Sequence, residues 1–270
     1  MSGLVTIAGG VLGLVVGPFL RRLVDQVPDR LPLFAPPGNQ LVPVVSWFDA
    51  NPAGTRVLVG SPDERDETNA EVALRRWRAP ATDLGAAAVL AVLAHRIGWN
   101  AALPAFMIFG AALVAATVID LDHFRIPDRI VFPALGATVI LLGVAALVHD
   151  VPGSFTAALA GSLAYFAFLF VFFFIWPRGM GFGDVKLALV LGLHLGWAGA
   201  VDVSDGELYH RGLEWGLQLV LMGALVGSIL GAVVGLVALV AMRRRGAFPF
   251  GPALCLGALL AIVFSAQLVN

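Results

Sequence analysis

Charge and cysteine are both scarce in this 270-residue chain. Only 13% of its residues are charged against 59% hydrophobic, and the mean hydropathy is +0.89. A soluble domain carries roughly 25% charged and 45–50% apolar residues, so a water-soluble globule is excluded. The single cysteine, Cys255, lies in the last apolar run, which excludes an internal disulfide and a thiolate metal cluster. Lysine is as rare, with Lys186 alone. A net charge of −1 argues against nucleic acid as a partner. No repeat of roughly 20–50 residues is evident, which removes solenoid arrays. The first apolar stretch lacks a basic n-region and runs into Arg21-Arg22 instead of a small-residue cleavage site. It reads as a retained first span, not a signal peptide.

What the chain does have is a series of apolar runs, many long enough to cross a hydrocarbon core of roughly 30 Å. Eight candidate spans fall at about 3–20, 83–98, 101–119, 130–148, 155–176, 185–200, 217–241 and 251–269. The predicted fold class is all-α, a polytopic membrane helical bundle of about eight transmembrane helices. Residues 21–82 form a polar stretch with Pro28, Pro32, Pro36-Pro37, Pro43, Pro52, Pro62 and the mixed-charge run Asp63-Glu64-Arg65-Asp66-Glu67. That composition predicts a loop with short pieces of structure, partly disordered. The chain therefore divides into 1–82, the first span with its loop, and 83–270, the membrane core. If the N-terminus is outside, the inner loops hold 15 of the 17 basic residues, leaving only Arg96 and Arg211 outside. By the positive-inside rule this predicts an outside N-terminus and a large cytoplasmic first loop, and the chain is expected in the plasma membrane. The outer loop 201–216, with Asp202, Asp205, Glu207, His210, Glu214 and Trp215, reads as acidic and solvated with an interfacial tryptophan.

Two carboxylates stand out. Asp120 closes an apolar run in Ile119-Asp120-Leu121-Asp122-His123-Phe124-Arg125-Ile126-Pro127-Asp128, and Asp184 opens another in Gly181-Phe182-Gly183-Asp184-Val185-Lys186-Leu187. Ionisable groups at membrane depth are costly and mark function by default. Two of one sign, at the ends of different spans, suggest a pair that shares a proton and activates water. Gly181 and Gly183 are expected to allow positive φ and close backbone approach before Asp184, which begins a helix, as a favoured N-cap residue does. Pro127 breaks the helix after Asp120. Asp122, His123, Arg125 and Asp128 read as a solvated inner loop, with Asp128 also placed to cap the fourth span. Lys186 reads as an inner-face anchor, or else as an ammonium that stabilises the ionised pair or contacts substrate.

At these residues the chain resembles the prepilin (type IV leader) peptidases, membrane aspartyl proteases with one Asp in an ID…IPD stretch and a second in a GxGD motif. The matching residues are Ile119-Asp120, Ile126-Pro127-Asp128 and Gly181-Phe182-Gly183-Asp184, with Lys186-Leu187 completing GDxKL. Gly13-Leu14-Val15-Val16-Gly17-Pro18-Phe19-Leu20 and Pro249-Phe250-Gly251-Pro252 match as well, whereas roughly 30–75 matches poorly. The resemblance implies Asp120 and Asp184 as catalytic residues, with Gly181, Gly183, Lys186, Pro127 and Asp128 in support. It also implies pilin-like precursors as substrates, cut on the cytoplasmic side just before a hydrophobic segment held in the membrane lipid, and a cavity opening laterally near the aspartates. No metal and no organic cofactor are required. Many bacterial members carry two CxxC pairs in the first loop and also methylate the product; this loop has no cysteine, so the basis for N-methyltransferase activity is missing.

Two other readings are weaker. Presenilin-like or signal-peptide-clearing proteases pair GxGD with Tyr-Asp, but Ile119 precedes Asp120. A small proton-coupled transporter would place its site near the midplane, often between inverted repeats. Within the peptidase reading, helix dipoles suggest different roles: Asp184, at a helix N-terminus, as the ionised base, and Asp120, near a helix C-terminus, as the protonated acid.

Overall fold

A computed structural model describes residues 2–26, 69–123, 125–175, 180–204, 207–241 and 249–268. Its elements are α1 (Ser2–Gln26), α2 (Asn69–Ile97), α3 (Leu103–His123), α4 (Asp128–Val148), α5 (Pro152–Ile175) and α6 (Phe182–Ala200). A hairpin, β1 (Val201–Ser204) and β2 (Glu207–His210), leads to α7 (Leu213–Ala241), α8 (Gly251–Val263) and α9 (Ser265–Leu268). The fold is an α-helical bundle, as the apolar runs predict.

Among the described residues, five helices are long and apolar enough to cross a membrane: Gly3–Arg22, Leu103–Leu121, Asp128–Val148, Pro152–Ile175 and Leu213–Val237. The expectation of eight spans is thus met only in part. Helix α8 has 13 residues and rises only about 20 Å, short of a hydrocarbon core. Helix α2 begins at Asn69, inside the stretch expected to be loop. Its first turns carry Glu71, Arg75, Arg76 and Arg78, which favour helix but interrupt an apolar run. The proline-rich part of that stretch and the run 63–67 lie outside the described residues.

Backbone proximity sets the packing. Gly9 and Gly17 on α1 face α2 so closely that an added Cβ would stand 2.6 Å from Ala94 Cβ and 2.6 Å from Asp83 Oδ1. Beside Gly17, Arg21 pairs with Asp83 at 2.9 Å. Helices α5 and α6 meet along Gly161, Gly192 and Gly196, where a Cβ at Gly161 would lie 2.6 Å from Gly192 O. Small residues let helices pack by van der Waals contact where no hydrophobic effect separates helix from lipid. Phe106, Phe109, Tyr165 and Trp197 fill the interior, while Leu4, Ile7, Leu147 and Phe174 point outward. His194 is fully buried against Phe109, ring centroids 4.1 Å apart, with Nδ1 2.8 Å from Val190 O.

The predicted solvated loop at 201–216 is more ordered than its acidity suggests. Strands β1 and β2 pair antiparallel, Val201 opposite His210, and Leu208 is buried. The Ser154 hydroxyl donates to Ala200 O at 3.2 Å and lies 2.9 Å from His210 Nδ1, tying the hairpin to α5.

Candidate active site

The C-terminal end of α3 and the N-terminal ends of α4, α6 and α8 converge on one side of the bundle. Each end has a local cause. Helix α3 stops at His123, and Pro127, in extended conformation (φ −79°, ψ 137°), starts α4 with Asp128 in its first turn. Helix α6 starts after Gly181, also extended (φ −75°, ψ 141°). Gly181 therefore does not use the positive φ expected of it. Asp184 sits in the first turn, not at the cap, and its N–H donates to Gly181 O at 3.1 Å.

Close approach is where the glycines matter. A Cβ at Gly183 would lie 3.1 Å from Ile126 Cβ and 3.2 Å from Ile126 N, so the GxGD turn packs directly on the IPD segment. Gly251, at the start of α8, is tighter: a Cβ there would stand 2.8 Å from Asp120 Oδ2 and 3.0 Å from Ile126 Cδ1. Ile126 is thus the shared neighbour of both aspartate-bearing segments and of α8.

This junction encloses the two carboxylates. Asp120 is 4% exposed and Asp184 is 6% exposed, close enough for Asp184 to experience the charge of Asp120. Among the described residues neither forms an ion pair. The Gly251 N–H donates to Asp120 Oδ2 at 2.9 Å. Asp120 therefore lies at the N-terminus of α8 as well as near the C-terminus of α3. The dipole asymmetry that separates acid from base in the sequence disappears, because both carboxylates now face a helix N-terminus.

The supporting residues divide. Lys186 pairs with Asp128, and its ammonium lies 5.3 Å from the Phe182 ring centroid. That geometry corresponds to the anchor reading, with α6 fastened to α4 at the rim. His123 and Arg125 are exposed, as a solvated turn requires, while the Asp122 side chain and Phe124 lie outside the described residues. Three residues near the aspartates, Thr117, Tyr165 and Cys255, escape a reading of the sequence. Cys255 on α8 contacts the Thr117 hydroxyl and lies within electrostatic range of both aspartates. Tyr165 on α5 is fully buried, its hydroxyl makes no hydrogen bond among the described residues, and it lies within range of Asp184 and Cys255. The signal for Cys255 is its place four residues after Gly251, one turn along the same helix face; Tyr165, in an aromatic-rich run, has none.

Residues 107–236 match the model of the type IV leader peptidase family. The chain is 25% identical over 280 residues to a prepilin leader peptidase/N-methyltransferase of Bacillus subtilis (strain 168), covering 96% of this chain and 94% of that protein. A protein of the same description from Stutzerimonas stutzeri is 25% identical over 224 residues, covering 69% and 72%. One from Aeromonas salmonicida (strain A449) is 34% identical over 125 residues, covering 44% and 41%. No solved structure matches. Both aspartates lie inside the matched stretch, so the part of the chain that carries the candidate site is similar to the type IV leader peptidase family.

Proposed function

We propose that the protein is an aspartic endopeptidase that removes the leader of pilin-like precursors, with Asp120 and Asp184 as its catalytic pair. The observation that carries this reading is the junction at Ile126, where the GxGD turn, the IPD segment and the start of α8 enclose two carboxylates without a counter-cation among the described residues. One carboxylate takes a proton from water as the water oxygen attacks the scissile carbonyl. The other, protonated, donates to the carbonyl oxygen, and collapse of the tetrahedral intermediate passes a proton to the leaving amine. Tyr165 supplies a further donor. A buried hydroxyl left unpaired costs about 1–3 kcal/mol, a cost offset when it donates to the carbonyl oxygen as negative charge develops on it in the transition state. No metal or organic cofactor enters this scheme.

The site opens to the cytoplasm on this reading, supported by the 15 of 17 basic residues assigned to that side. Lys186, Asp128 and Pro127 hold the rim, and Gly181 and Gly183 shape the turn that presents Asp184. The methyltransferase half of the relatives' description is not carried over, since Cys255 is the only cysteine and lies outside the first loop.

The test is precursor cleavage by the purified protein in lipid. Asp120→Asn and Asp184→Asn should each lower the rate by on the order of 10³-fold or more, with the protein still inserted. Asp122→Asn and Asp128→Asn should retain turnover. Substantial activity in either of the first two variants removes that residue from the catalytic pair.

A further inference from the structure

Helix α2 is not among the five described helices long and apolar enough to cross a membrane, and its outward face shows why. Asp83 pairs with Arg21 at 2.9 Å, both side chains are partly exposed, and Arg22 is exposed beside them. Twelve residues after Asp83, His95 is exposed as well, with Nδ1 3.1 Å from Thr6 Oγ1, and Trp99 follows at 76% exposure. Between these marks 84–94 carries no charge. The helical rise puts the two polar levels about 18 Å apart, and any tilt of the helix lowers that height.

Helix α8, which touches α2, has the same height. The Gly251 N–H holds Asp120 at its inner end, and Ile262 O accepts from Arg96 Nε at its outer end. Those points are eleven residues apart, about 17 Å along the axis. Elsewhere the bundle is taller. Helix α5 has no charged residue in the 24 residues Pro152–Ile175, and α7 has none from Trp215 to Val237. Each of these runs rises more than about 30 Å, and Leu163, Phe174, Leu221 and Ile229 on them face outward.

A hydrocarbon core of roughly 30 Å fits α5 and α7 but overreaches α2 and α8 by about 12 Å. Asp120 is sheltered inside the protein, whereas Arg22 and His95 are exposed and have no such shelter. Thinning a bilayer costs little per Å of mismatch, while ionisable groups left in hydrocarbon are expensive. The membrane therefore yields and the side chains do not.

We propose that the α2–α8 face binds a locally thinned bilayer, on a bundle whose other faces take one of ordinary thickness. The occupant is lipid, because an uncharged belt about 18 Å tall is bounded by polar groups at both edges. Asp120 stands at the inner edge of this belt, so thinning brings the inner lipid–water interface to the carboxylates. On the peptidase reading, on which only this consequence rests, cleavage is faster in thin bilayers than in thick ones.

Two readouts test this with the full chain in phosphatidylcholine vesicles. The first is the depth of spin labels, from their accessibility to oxygen and to a water-soluble nickel complex. Labels at Ala88→Cys on α2 and Ile229→Cys on α7, each in a Cys255→Ser background, sit near the middle of their helices' outward faces. In dioleoyl lipid Ala88→Cys should lie about 9 Å below the nearest surface, and Ile229→Cys about 15 Å. The second is precursor cleavage by the unsubstituted protein, which should slow at least about threefold from dimyristoleoyl to dierucoyl lipid as the mismatch grows. Equal depths at the two labels, or cleavage that is flat or faster in dierucoyl lipid, overturn the proposal. Dipolar broadening between Ala88→Cys labels on two copies would put another chain on this face and overturn it as well. The depth readout involves no turnover, so an absence of cleavage in every lipid removes the peptidase reading and leaves the lipid contact to be decided by depth.

Discussion

At the end of the bundle away from the aspartates, Arg96 donates from Nε to Ile262 O at 3.3 Å and from Nη2 to Ser265 Oγ at 2.5 Å, with Asp202 within electrostatic reach. Ser154 bridges Ala200 and His210 beside it. A cavity of only about 120 Å³ lies there, lined by Arg96, Trp197, Asp202, Arg211 and others. At the opposite end two carboxylates are buried within electrostatic reach of each other, and their partners are backbone groups of Gly251 and Gly181. Each end places polar groups at the ends of apolar helices, but of these groups only Arg96 and Asp202, at the far end, are charges of opposite sign within reach of each other. Hydrogen bonds from the Arg96 guanidinium fasten α2 to α8 and α9. A like-charge pair without a cation among the described residues contributes nothing comparable to stability, and on the peptidase reading its free energy is recovered in the transition state.

This contrast is open to attack at individual residues. The largest effect short of removing an aspartate is expected at Gly251→Ala. The added methyl would stand 2.8 Å from Asp120 Oδ2, so either α8 or the carboxylate must shift. A misplacement on the order of 1 Å costs about 10²-fold, and precursor cleavage should fall by that order while the protein remains folded. Next is Tyr165→Phe, which removes one hydroxyl without a hydrogen-bond partner among the described residues, and nothing else. As a core group alone, the hydroxyl is dispensable, and its removal should leave stability equal or higher. As an oxyanion donor, it should cost about tenfold or more in kcat with KM little changed. A loss of kcat with retained thermal stability supports the donor role, and unchanged kcat removes it.

At the far end the signs reverse. Arg96→Met should lower unfolding free energy by about 1–2 kcal/mol through its lost hydrogen bonds, read as a lower midpoint in denaturant or heat, with kcat per folded molecule preserved. A fall in kcat at unchanged stability would couple the two ends and break the comparison. The smallest effect is expected at Lys186→Arg. Its pairing with Asp128 on an exposed rim is worth little, and Arg keeps the charge, so cleavage should change less than about threefold. A loss near that of Gly251→Ala would mean that the lysine reaches the reacting centre.

How legible the molecule is from its sequence depends on the physical range of each interaction. The carboxylates are readable because a charge closing an apolar run is costly wherever the helix packs. The break between α3 and α4 is readable from Pro127, whose constraint is local. Helix α2 is not fully readable, since Arg75, Arg76 and Arg78 favour helix without lengthening an apolar run. The β1–β2 hairpin is hidden by the acidity of 201–210, and the burial of Leu208 depends on neighbours brought from other elements. The partner of Lys186, 58 residues away in sequence, and the donor from Gly251 to Asp120, 131 residues away, exist only once the helices are assembled. That donor is also why an acid–base assignment from helix dipoles does not survive folding.

The claim that Asp120 and Asp184 work as one unit is tested most directly by a double-mutant cycle. Precursor cleavage is measured for Asp120→Asn, Asp184→Asn and the doubly substituted protein, each reconstituted in lipid and shown to be folded. Groups that act together are grossly non-additive, so all three variants should fall to the same residual rate. Two single losses that multiply in the double variant would mean that the aspartates act independently, and would contradict a shared catalytic pair.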